Sequence, residues 1–141
     1  MTVLTPDWEK RCAQLWARLD DYDDPSAFRA EVDGLAAELP EGSAIGYFER
    51  ACAHDSTGQG EQAVPLYRQA LAAGLTGIRR RRAVIQMAST LRALGHPQLS
   101  LELLTAEQER GSDELDEATR TEAEELATSK YRDPDWLARI P

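Results

Sequence analysis

Two stretches of this chain, 37 residues apart, repeat one order of residue sizes and turn signals. The first reads Tyr47-Phe48-Glu49-Arg50-Ala51, then Gly58, Ala63, Tyr67 and Ala70-Leu71. The second reads Val84-Ile85-Gln86-Met87-Ala88, then Gly95, Ser100 and Leu104. Repeats of this length are supersecondary units that bury their apolar faces only by stacking on a neighbour. Ala51 and Ala88 allow the two helices of a hairpin to approach closely, and Ala63 and Ser100 keep the second helix near the first. Gly58 and Gly95 are predicted to end the first helix of each pair at positive φ.

The rest of the chain is also patterned for helices. Thr5-Pro6 and Asp24-Pro25 each place a capping side chain before a proline suited to the first helical position. Trp8, Cys12, Leu15, Trp16 and Leu19 form one amphipathic stripe, and Phe28, Val32, Leu35, Ala36 and Leu39 form a second. Two such helices with a short polar link pair antiparallel. Ser43 caps a third helix, a fourth follows Gly58-Gln59-Gly60 with Pro65 in its early part, and a fifth runs from Gly77 to Leu94. Pro97 opens a sixth. Beyond a break at Gly111, residues 113–130 read as a seventh helix with a thin apolar stripe, and Trp136, Leu137 and Ile140 of the tail are expected to cap an end of the stack.

Composition narrows the function. Hydrophobic residues make up 42% and charged residues 29%, so a chain of 141 residues has what it needs for a packed core. A net charge of −9 and a pI near 4.7 argue against general affinity for nucleic acid. No stretch approaches the roughly 20 apolar residues of a membrane span. Met1–Asp7 lacks the basic start and apolar run of a secretory signal. Cys12 and Cys52 sit in apolar helical patterns and read as buried thiols of a reducing compartment. A cytoplasmic protein is expected. The charge is strongly polarised, with five arginines (Arg79, Arg80, Arg81, Arg82, Arg92) and no acid from Thr76 to Leu94. From Glu107 to Thr128 there are nine acids and two arginines, a local net of 2 − 9 = −7.

The segment Tyr47 to Gly58 followed by Ala63-Val64-Pro65-Leu66-Tyr67-Arg68-Gln69-Ala70-Leu71 resembles one full unit of the tetratricopeptide repeat family, especially its short bacterial members. Val84 to Leu104 resembles a second, with Ser100 and Glu107 where the family has alanine. The resemblance implies an all-α fold of antiparallel helix pairs stacked as a short right-handed α-solenoid, with about seven helices. In that reading residues 1–141 form one domain: a helical hairpin (5–39), two repeat units (43–74 and 77–109), an acidic helix (112–130) and a tail (131–141).

It further implies a concave groove for a peptide or helix, lined by the first helix of each unit. Position by position, the groove residues are Phe48, Cys52, Asp55 and Ser56, then Arg82, Ile85, Ser89 and Arg92. The arginines suit the carboxylates of an acidic peptide or of a polypeptide C-terminus. Four of them crowd the positive pole of a helix, an unfavourable place that calls for an anion. One internal source is the acidic segment Glu107 to Glu125. An alternative is a homodimer held through Phe48 and Ile85.

Catalytic and metal chemistry are not expected. Cys52 and His54 are two residues apart on a helix and diverge by about 200°, and His54 is expected to pack in the core. His96 is expected to cap the helix that Pro97 opens. The Asp20 to Asp24 run lacks the glycine and spaced oxygens of a calcium loop. No phosphate loop, nucleophile motif or CxxC is present, so no catalytic residue, metal or cofactor is assigned.

Overall fold

A computed structural model describes residues 4–114, with side chains up to residue 110. Among these the chain is all helix: α1 (Pro6–Trp16), α2 (Pro25–Ala37), α3 (Ala44–Asp55), α4 (Gly60–Ala72), α5 (Gly77–Ala93) and α6 (Pro97–Glu114). The all-α expectation of paired helices stands. The chain divides into two compact units, one through Gly74 and one from Leu75.

In the first unit the helix starts follow the cap chemistry. Thr5 Oγ1 accepts the Trp8 amide at 3.1 Å, Asp24 Oδ1 accepts the Ser26 amide at 2.9 Å, and Ser43 Oγ accepts the Gly46 amide at 3.3 Å. Each satisfies a donor that the first helical turn leaves without a partner. α1 stops earlier than its apolar stripe, at Trp16, and Leu19–Asp21 form a turn of 3₁₀ helix. From that tighter turn Leu19 still packs against the core of Leu15, Phe28, Val32 and Ala53.

Trp16 and Tyr22 meet Phe28 edge-on, with ring centroids 5.0 and 5.4 Å apart. Trp8 reaches across to α2, donating its indole N–H to the Leu35 carbonyl at 2.9 Å. The N-terminal hairpin is also tied to α3. The Trp16 indole donates to Glu49 Oε2 at 2.8 Å, and Arg29 of α2 donates to Thr57 at 2.8 Å. Glu49 is only 5% exposed, so this bond lies inside the unit. α4 runs through Pro65, which is exposed, so the backbone carbonyl it deprives of a donor lies on the solvent side.

The two repeats close their first helices with the same hydrogen bonds. Gly58 (φ +78°) donates to the Asp55 carbonyl at 3.4 Å, and Gln59 donates to that of His54 at 2.8 Å. Gly95 (φ +90°) donates to the Arg92 carbonyl at 3.1 Å, and His96 donates to that of Leu91 at 2.8 Å. Both are the left-handed glycine stop in which two successive amides fold back on the last turn. His54 is half-buried rather than in the core, its Nδ1 lying 2.7 Å from Gln59 Oε1. At the end of α3 its ring serves the turn instead of filling space. His96 is exposed, and its carbonyl accepts the Ser100 amide at 3.1 Å.

In the second unit α5 and α6 pair as an antiparallel hairpin. Val84, Met87, Ala88 and Leu91 are 1–5% exposed, and Ser100 of α6 is 1% exposed. α6 continues through Gly111 to Glu114, past the break read from the sequence. One glycine costs a helix only about 1 kcal/mol. The expected seventh helix lies, from residue 115 on, outside the described residues, as do Trp136, Leu137 and Ile140.

Candidate partner-binding face

Helical spacing sets two sides of α5. Arg82, Ile85, Ser89 and Arg92 are three and four residues apart and share one side. Arg82, Ile85 and Ser89 are half-buried and Arg92 is exposed. Val84, Met87 and Leu91 continue the line of Arg80 on the other side, toward α6.

That alignment gives Arg80 a different role from Arg82. Its Nε donates to Glu107 Oε1 at 3.3 Å and its Nη2 to Oε2 at 3.1 Å, a two-point contact across the hairpin. Both side chains are 19% exposed. Arg110 Nη1 lies 4.0 Å from the same carboxylate. Glu107 stands where the family has alanine because here that position meets a guanidinium. The sequence pointed to Glu107 as a departure but could not name its partner, 27 residues away.

The start of α5 is electrostatically unusual. Thr76 at its N-cap makes no side-chain hydrogen bond, and the first turn holds no acid. The positive pole of the helix thus coincides with the arginine run.

The four residues assigned from the first repeat do not share an accessible surface. Phe48 is 1% and Cys52 5% exposed, so both lie in the interior. Phe48 stacks obliquely on Tyr67 at 6.4 Å. Asp55 is half-buried and accepts the Tyr67 hydroxyl at 2.8 Å, while Ser56 is exposed at the end of α3. Burial raises the Tyr67 phenol well above its ordinary value, reinforced by Cys52 and Asp55. The repeat alignment equates Phe48 with Ile85, yet one is buried and the other half-buried. The two helices present different faces.

A cleft that the sequence did not suggest opens in the first unit. About 440 Å³ in volume, it is walled by Ala36, Leu39 and Pro40 on one side and Gly46, Tyr47 and Arg50 on the other. Arg50 lies 3.5 Å from Asp33. The only local signal was the run of small residues and turn formers from Pro40 to Gly46.

Among the described residues, no group of three His, Cys, Asp or Glu side chains could hold a metal ion, and no helix is long and apolar enough to cross a membrane. Cys12 and Cys52 are buried and not joined in a disulfide. A family model described as tetratrico peptide repeat matches residues 44–133, from the first residue of α3 onward. No curated protein and no solved structure matches the sequence.

Proposed function

This chain belongs to the tetratricopeptide repeat family, and from that premise we propose that it is a non-catalytic module whose α5 face holds a carboxylate-bearing peptide or helix of a partner protein. Proteins of the family serve, in general, as protein–protein interaction modules. The contact residues in this reading are Arg82, Ile85, Ser89 and Arg92.

One observation carries the assignment to α5. Its apolar side is consumed by α6, and the side bearing Arg82 and Arg92 has an exposed end with an aliphatic residue between its guanidinium groups. Guanidinium groups grip carboxylates at two points, and the Arg80–Glu107 contact shows that geometry within the same hairpin. Of the first-repeat residues, Asp55 and Ser56 keep exposed surface; Phe48 and Cys52 contribute from beneath. We place the module in a bacterial cytoplasm, where two buried thiols stay reduced.

The test is a titration with a fluorescein-labelled hexaglutamate peptide at low salt. Arg82→Glu with Arg92→Glu is expected to weaken binding by about tenfold or more. Equal binding by the parent and the double variant sinks the reading.

Self-association is favoured by a separate observation. Leu94, Leu99 and Leu101 are 37%, 44% and 58% exposed, whereas Phe48 lies in the interior. Light scattering that finds a dimer in the parent and a monomer in Leu99→Gln with Leu101→Gln supports this second reading.

A further inference from the structure

One carboxylate already reaches the arginine run from within the same polypeptide. Glu107, held by Arg80, is the first of the nine acids between Glu107 and Thr128. Because α5 and α6 are antiparallel, that contact sets the end of α6 beside the start of α5, and the backbone passes Glu114 next to the arginines. We propose that the acid-rich stretch beyond Glu114 (Asp116, Glu117, Glu122, Glu124 and Glu125) is an intramolecular competitor for the basic face of α5, which an acidic partner must displace. This rests on the reading that the α5 face takes carboxylates.

Three observations support it. The charges are complementary: α5 carries five arginines and no acid, and the stretch after Glu114 through Glu125 carries five acids and one arginine. The reach is sufficient. Glu125 is 125 − 114 = 11 residues beyond the end of α6, an extended span of roughly 36 Å. α5 has 17 residues, a length of about 26 Å at helical rise. Finally, the start of α5 lacks both a side-chain cap and a first-turn acid, so the positive pole and its arginines lose nothing by receiving a tethered anion. A tethered ligand acts at high effective concentration, so weak individual ion pairs suffice.

The experiment compares three full-length proteins. The first is the parent. In the second, the five acids beyond Glu114 become Asn or Gln, leaving α5 and α6 untouched. The third carries the same loss of charge elsewhere, at the exposed Asp20, Asp21, Asp23, Glu31 and Glu41. Each is titrated with labelled hexaglutamate. The second protein is expected to bind about tenfold more tightly than the parent, a coupling ordinary for linked sites. The third should change by no more than about twofold, and the difference should vanish in about 1 M salt, where screening leaves a range of about 3 Å. A synthetic peptide of residues 113–128, added to the second protein, should restore the weaker binding.

Equal tightening in the second and third proteins assigns the effect to net charge and overturns the proposal. Equal binding by parent and second protein overturns it while leaving the α5 reading intact, provided Arg82→Glu with Arg92→Glu still weakens binding. If no protein binds hexaglutamate, the α5 reading fails and the proposal with it. A parent affinity that falls with parent concentration puts the stretch on a second copy and overturns the intramolecular form.

Discussion

The hydroxyl of Tyr67 donates a 2.8 Å hydrogen bond to Oδ2 of Asp55, joining α4 to α3 at a ring that is 0% exposed. The bond helps keep the phenol neutral, and burial contributes more. A phenol whose folded value lies above its ordinary 10.0 stabilises the fold fully below pH 10 and loses that contribution as pH rises toward the folded value. Tyr67→Phe should therefore lower stability at neutral pH by about 1 kcal/mol. Between about pH 9 and pH 11 it should lose less stability than the parent. Denaturant melts across that range check both.

Ser100 presents the opposite case. Its hydroxyl is buried without a hydrogen-bond partner in the α5–α6 hairpin. Alanine, the residue of the equivalent Ala63, removes the stranded polar atom with little loss of volume. Ser100→Ala should raise stability by about 1 kcal/mol, seen as a higher denaturation midpoint at unchanged slope.

The Arg80–Glu107 contact lends itself to a double-mutant cycle. Arg80→Ala and Glu107→Ala should each destabilise, and the double variant should fall short of their sum by about 1 kcal/mol, as for a partly buried ion pair. Full additivity would show that the two-point contact contributes nothing to the hairpin.

Asp24 links stability to acid. Its carboxyl is held below the ordinary 3.8, first by the Ser26 hydroxyl and then by the Ser26 amide. That contribution is complete above pH 3.8 and fades as pH falls through the lowered value. Asn caps helices as well as Asp does. Asp24→Asn should melt much like the parent at neutral pH but lose less on moving to about pH 3.

Gly34 is exposed within α2, and an added Cβ would meet nothing within 4 Å. Gly34→Ala should stabilise by about 1 kcal/mol through the backbone entropy that glycine forfeits on folding. A rise in melting temperature checks it.

What was legible in the sequence was local. Thr5, Asp24 and Ser43 cap helices because side chain and amide lie two or three residues apart. Gly58 and Gly95 stop them because few other residues adopt positive φ. The face each helix presents was less legible, because it depends on rotation about an axis that packing sets. Thus Phe48 and Ile85 match in the repeat but differ in exposure, and Cys52 and Ser89 likewise. Arg80 could not be told from Arg82 by composition; only the hairpin register sends one to Glu107. Leu19 looked like a fourth turn of α1 because its contact with the Phe28 core is compatible with either helix type.

The bond from Trp16 to Glu49 sets where this protein can be cut. The match to the family begins at residue 44, and a fragment starting there would look like a natural repeat module. It would also leave Glu49, interior in the intact protein, without the indole that serves it, a loss on the order of 2 kcal/mol for a charged acceptor. The N-terminal hairpin is therefore no detachable appendage but a lid over a carboxylate that the repeat cannot hold dry by itself.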